Sequence, residues 1–300
     1  MKKSLSLTAC VLLSSAVLLP TALSPVRAQV IAPVAARPAA SLSEAEIRAL
    51  GQGVAFPYEL LDKVLRENVN KEGAIFYAKL KGNNDLETFV RAVAIADLNR
   101  FPAWKLPADK NNPKAAETLD RTPELMFWIN AYNALFIKAI ADAYPVKSPT
   151  QIKDLDTAKT RVVGGKSYSF AQMRRIIAEM DPRALFALLD GTNSGPRAQT
   201  SVFRYVGLGA QLNAVISAFV NDPSRVSPPQ RLQNTVAVSP WLLSVDEYFK
   251  PKGTRRKLDG IRRILGSYTA RDSDQRYFNA GDYQVQAMPA NLSLNEQFVR

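Results

Sequence analysis

Between Thr122 and Tyr144 the chain reads TPELMFWINAYNALFIKAIADAY. Leu125, Trp128, Ile129, Tyr132, Phe136, Ala139 and Ile140 recur there at helical spacing and make one face apolar. Phe127, Leu135 and Ile137 make the opposite side apolar as well, which predicts a helix buried all round at the centre of one core. Thr122 reads as its N-cap, Pro123 as its first helical residue and Glu124 as an acid at the positive end of the dipole. Pro145 stops it. Asn130 and Asn133 break the pattern. A buried amide is costly unless hydrogen-bonded, so each needs a fixed partner, either a neighbouring loop or a ligand at a site.

The flanking pattern is mixed but mostly helical. Phe56 to Val69 places Leu60, Leu61, Val64 and Leu65 on one helical face, and Glu72 to Ala78 reads as a short strand. Asp85 caps a helix carrying Leu86, Phe89, Val90, Val93 and Ala94, which runs to about Arg100. Ala103 to Arg121 is polar and reads as a surface loop. Thr160–Val163 and Lys166–Tyr168 flank Gly164-Gly165, a two-residue hairpin signal, and Ser169-x-x-Gln172 is a capping box opening a helix with Met173, Ile176 and Ile177 inward. Asp181-Pro182 breaks that helix, and for Arg183 to Leu189 periodicity allows either a buried strand or a short helix. A turn-rich loop follows from Asp190 to Pro196. Then come a helix over Val206–Val220, a strand over Thr235–Val238, a helical turn over Val245–Phe249 and a basic helix from about Thr254 through Leu265.

The N-terminus adds a compartment. Lys2 and Lys3, an apolar run to Leu23 and the small-residue site Val26-Arg27-Ala28 read as a signal peptide over residues 1–28. A Pro/Ala-rich linker occupies residues 29–45, and residues 46–300 read as a single domain. The expectation is an exported protein, periplasmic or extracellular, with no transmembrane segment after cleavage. Leu7-Thr8-Ala9-Cys10 looks like a lipobox but sits too early in the apolar run, which favours simple cleavage over lipidation. Cys10 is the sole cysteine and leaves with the leader, and there is no histidine. The mature chain therefore has no thiol, no disulfide and no imidazole. Of 39 basic and 27 acidic residues the leader removes three basic ones, leaving +9. For an exported chain that charge favours anionic lipid, cell-wall polymer or peptide over nucleic acid.

The segment FWINAYNALFIK resembles the signature of family 547 of the domains of unknown function, DUF547, and further segments resemble it in order. These are Gly73-Ala74-Ile75-Phe76-Tyr77, the Gly164-Gly165 hairpin with Ser169, Asp181-Pro182-Arg183, Gln211 to Asp222, and the closing Leu292-Ser293-Leu294-Asn295. The resemblance implies an α+β fold similar to cysteine peptidases, here a mostly helical domain with a small antiparallel sheet around the buried helix. It also implies a polar centre: Glu-His on the capped helix, a His in the next segment, and a Cys opening the loop after it. A thiolate needs an imidazole to lower its pKa and carry the proton, and a carboxylate to orient that imidazole. Those positions are Arg174 and Arg175, Leu185 and Asp190 in this chain, with Gly195-Pro196 at the family's closing Cys-Pro and Asn291 at its acid before the final motif.

The scaffold is kept without that chemistry, so the expected function is a catalytically inactive binding or scaffold module for a peptide, cell-wall or anionic ligand. Asn130, Asn133, Arg174, Arg175, Arg183, Asp190 and Arg197 are the candidate binding residues, and the four arginines could converge on a carboxylate. The alternatives are a hydrolase using Asp190 with an arginine or lysine, and a membrane-peripheral protein docking through Arg255, Arg256, Lys257, Arg262 and Arg263. Ser194 has no imidazole to activate it, Trp241 reads as core, and no motif points to a metal or cofactor.

Overall fold

The computed structural model describes residues 56–100, 104–105 and 119–297. The expected signal peptide and linker, with Cys10, lie outside the described residues. Eight elements position the site. They are α1 (Tyr58–Asn68), α2 (Asn84–Ala94), the central α3 (Thr122–Ala143), the hairpin strands β1 (Arg161–Val163) and β2 (Lys166–Tyr168), α4 (Phe170–Met180), α5 (Leu208–Val220) and β3 (Thr235–Val238). After them come α6 (Asp259–Tyr268), α7 (Asp272–Ala280) and β4 (Gln284–Ala287). The architecture is α+β and mostly helical, with one hydrophobic core built around α3.

Fifteen residues of α3 are buried, on every side of the helix, as the all-round apolar pattern requires. Phe170 from α4 packs edge-on against Tyr132, with ring centroids 5.2 Å apart, and lies 5.1 Å from Phe136. Thr122 is the first helical residue rather than the N-cap. Arg121 precedes the helix and clamps Glu124 through two 2.8 Å bonds, so the first turn is held by an ion pair rather than by a hydroxyl cap. Asn130 and Asn133 spend their amides on backbone. Asn130 bonds Phe203 N and O at 3.0 and 2.9 Å, and Asn133 bonds Leu189 N and Ala187 O at 3.0 and 2.8 Å. They anchor loops and present no free amide to a ligand.

The hairpin and capping box fold as their sequences dictate. Gly164 and Gly165 both take positive φ, +56° and +76°, which a two-residue turn between twisted strands demands. Both bonds of the Ser169–Gln172 box are present. Elsewhere the structure differs. Ile75 makes only isolated bridges, to Val69 and Glu296, and Tyr77–Leu80 is already helical, so Glu72–Ala78 is not a strand. Asn83, not Asp85, caps α2, accepting from Leu86 N at 3.0 Å, and α2 ends at Ala94. The expected loop before α3 contains a two-residue antiparallel pairing of Trp104–Lys105 with Leu119–Asp120. The segment Pro182–Ala187 is a 3-10 helix. The sheet is not one antiparallel unit but separate two-stranded ladders, and β3 pairs in parallel with β4. The basic helix starts only at Asp259, because Leu258 takes φ +57° and ends any continuous helix from Thr254.

Candidate functional site

The site is the loop from Asp190 to Pro196, and its position follows from what grips it. Asn133 on α3 holds Ala187 and Leu189 immediately before the loop. Gly191, at φ +74°, runs so close to the core that an added Cβ would lie 2.8 Å from Pro149 and 3.0 Å from Phe136, so a side chain is excluded twice over. The C-terminal segment pairs along the loop: Asn295 N donates to Gly191 O, Asn193 N to Ser293 O, and Asn291 N to Ser194 Oγ at 2.7 Å. Arg225 Nε donates to Gly195 O and Ser239 Oγ to Ser194 O. The motif beginning at Gly73 arrives here as well, since the buried Tyr77 donates its hydroxyl to Asn295 Oδ1 at 2.9 Å.

Of the six positions that the resemblance sets in or beside a polar centre, all but Arg175 lie around this loop, Asn291 through its bonds to Ser194. Asp190 opens it; Thr192 N and Oγ1 donate to its Oδ1 at 2.9 and 3.1 Å, and Thr192 Oγ1 reaches Oδ2 at 2.9 Å. Burial raises the Asp190 carboxyl above its ordinary value, and the Thr192 bonds and the charges of Arg225 and Arg174 only partly offset this. Gly195 faces Asp190 so closely that the carboxyl group fills the space a Gly195 side chain would need. Arg174 binds Asp156 in a fork of 2.5 and 2.7 Å and donates to Tyr132 Oη at 3.2 Å. Burial opposes the guanidinium charge, and Asp156 more than compensates, so its pKa rises. Burial also pushes the Tyr132 hydroxyl up, to about 12, against the pull of Arg174. Leu185 is buried beneath the same wall. Arg175, the remaining position, is exposed and among the described residues reaches only Glu179, at 3.5 Å.

Two cavities open on this group and share Arg174 and Asp190. One, of about 330 Å³, is walled by Tyr132, Leu185, Leu188, Trp241 and Tyr248; the other, of about 400 Å³, by Phe136, Ile152, Leu155, Asp154 and Asp156. Trp241 is therefore both packing and wall: it sits 4.9 Å from the Phe186 ring and 5.1 Å from that of Phe219 while lining the cavity. Mostly apolar walls with a few convergent polar groups are the usual make-up of a ligand pocket.

Other expected site residues are not brought together. Arg183 is held by Asp181 at 2.7 Å and by Asn213 at 2.9 Å, and Arg197 by Asp222 and the Glu72 carbonyl, so the four arginines do not form one carboxylate trap. The basic run is divided. Arg256 donates to the Gly281 carbonyl, and Arg262 donates to Tyr283 O at 2.6 Å and stacks over that ring, while Arg255, Lys257 and Arg263 stay exposed. Ser194 is buried, and its Oγ accepts from Asn291 N. Sequence reasoning missed Arg225, Asp156 and Tyr248. No motif marks them, and only the packing of distant segments makes them neighbours of the loop.

Residues 116–220 match the family model described as "Protein of unknown function, DUF547". The match covers α3, the hairpin, α4, the site loop and α5, so over those elements the chain resembles that family. No curated protein and no solved structure matches the chain. Among the described residues no helix is long and apolar enough to cross a membrane.

Proposed function

We propose that this chain is an exported, catalytically inactive member of a cysteine-peptidase-like family that binds a peptide in the cleft shared by Arg174 and Asp190. The observation that carries the reading is the convergence of the former polar-centre positions on a cleft whose described lining carries neither a cysteine nor a histidine. Peptide is favoured over an anion. Asp154, Asp156 and Asp190 line the cleft against the single guanidinium of Arg174, which is already forked to Asp156. Trp241, Tyr248, Leu185 and Leu188 supply surface for apolar side chains.

A hydrolase using Asp190 is the second reading. It is favoured by a carboxyl that borders both cavities, is raised by burial and hydrogen-bonds Thr192 rather than forming an ion pair. The membrane-peripheral reading rests on Arg255, Lys257 and Arg263 alone. To separate the first two, the mature chain from Gln29 is incubated with a mixed peptide pool and cell-wall fragments, with mass spectrometry of retained and cleaved species. Retention without cleavage, lost in Trp241→Ala, is the expected result. Cleavage that disappears in Asp190→Ala would overturn the inactive-module reading.

A further inference from the structure

A third cavity, of about 260 Å³, lies against Asn193, Ser194, Pro196 and Arg197 of the same loop region. Its charged wall is unusual. Arg225, only 5% exposed, and Arg197 both aim at the single oxygen Oδ2 of Asp222: Arg225 Nη1 at 2.5 Å, and Arg197 Nη2 and Nε at 2.7 and 3.2 Å. Arg225 Nε serves the Gly195 carbonyl and its Nη1 also reaches Ser224 Oγ; its Nη2 has no hydrogen-bond partner among the described residues. Two guanidinium cations thus share one directly bound carboxylate beside open volume, whose lining also carries the exposed Glu72. The arrangement favours the charge of Asp222 and disfavours that of Arg225. Burial raises the Asp222 carboxyl, but Ser224 and the arginines overcome this and hold it down at about 2. Burial, with a contribution from Arg197, makes the Arg225 proton easier to lose despite Asp222. A buried cation with an unmatched share of charge is costly, and a bound anion relieves that cost.

We propose that this cavity binds the carboxylate group of a ligand, with Arg225 and Arg197 as its receptors. A planar monoanion fits better than a phosphate dianion for two reasons. The two guanidiniums are already partly matched by Asp222, and exposed Glu72 also lines the cavity and repels further negative charge. The flat fork of a guanidinium matches the two oxygens of a carboxylate, and the amides of Asn193 and Asn291 add neutral donors on the walls. The site is distinct from the peptide cleft in its charged lining, although Thr192 borders both and Arg225 acts electrostatically on Asp190.

The alternative is that Arg225 and Arg197 only tie the loop to the turn at Asp222. Calorimetric titration of the mature protein at neutral pH separates the two, using N-acetyl-Ala-Ala, its C-terminal amide and inorganic phosphate. The acid is expected to bind and the amide to bind at least about tenfold more weakly, the scale of losing hydrogen bonds to a charged group. Arg197→Ala removes one receptor on a side chain that is 43% exposed, so the fold is retained, and it is expected to weaken the acid about tenfold. Trp241→Ala, in the peptide cleft, is expected to leave acid binding unchanged. Equal binding of acid and amide, no binding of the acid, tighter binding of phosphate, or an unchanged affinity in Arg197→Ala would each overturn the proposal. Loss of acid binding in Trp241→Ala would place the carboxylate in the other cleft, and would overturn it too.

Discussion

Asp190 and Gly195 are the pair on which the character of the site turns. An Asp190 carboxyl fills the volume that any Gly195 side chain would need, so Gly195 cannot gain a side chain while Asp190 keeps its carboxyl in place. Gly195→Ala is expected to cost about 2 kcal/mol in urea unfolding, the usual scale of overpacking, and Asp190→Ala in the same chain to restore most of it. A double-mutant cycle that adds without coupling would refute the contact. Ionisation gives a second prediction, with its sign worked out. The folded Asp190 carboxyl is raised, so the native state holds its proton more tightly and stability falls as pH rises from the unfolded carboxylate value through the folded one. Asp190→Asn is therefore expected to stabilise the protein at neutral pH by about 1 kcal/mol and to remove that part of the pH slope. Asp222 acts in the opposite sense. Its carboxyl is depressed to about 2, so its contribution is complete above the unfolded carboxylate value and is lost as pH falls toward 2. Asp222→Asn should flatten stability across that acid window, as measured by denaturant titration at successive pH values.

Among the secondary-structure elements, α3 is the organiser, and its two amides show how a buried polar group gives a loop its place. Asn133 accepts from Leu189 N and donates to Ala187 O, both immediately upstream of Asp190. Asn133→Leu leaves that backbone donor and acceptor unpaired in the core. It is expected to cost about 1–3 kcal/mol and to weaken peptide retention through a displaced loop, although the residue touches no ligand. Fast amide exchange at Leu189 in the variant, against slow exchange in the parent, is the check. The closing motif acts in the same way from the other end of the sequence: Asn291, Ser293 and Asn295 clasp the loop through backbone bonds, and Tyr77 ties the early Gly73–Tyr77 segment to Asn295.

For the molecule as a whole, a basic chain carries an acidic cleft. The net charge of +12 describes the chain in sum, while Asp154, Asp156 and Asp190 outnumber the one arginine in the larger cavities, and Arg197 with Arg225 make the smaller one cationic. Surface attraction and site preference are thus separate quantities. Neutralising Arg255, Lys257 and Arg263 is expected to lower any salt-sensitive adsorption to anionic vesicles and to leave peptide retention intact. Parallel loss of both in a sedimentation and pull-down pair would show that the two surfaces are one.

What could be read from the residues is what depends on near neighbours. The helical period and apolar circumference of Leu125 to Ile140, the glycine pair at 164–165 and the Ser169–Gln172 box each specify their geometry within a few residues, and each is found as read. The absence of histidine and the family likeness of the central helix were equally plain. What could not be read depends on segments far apart in sequence. β4 joins β3 across more than forty residues, and Leu258 ends the basic helix. Arg174 chooses Asp156 over Asp190, and Arg225 joins Arg197 at one oxygen of Asp222. A charged side chain has several partners of comparable merit in sequence, and only the packing of α3, α4 and the closing segment around one loop brings the chosen partner within hydrogen-bond distance. Periodicity sets which residues are buried; the assembled core sets which of the remaining polar groups meet.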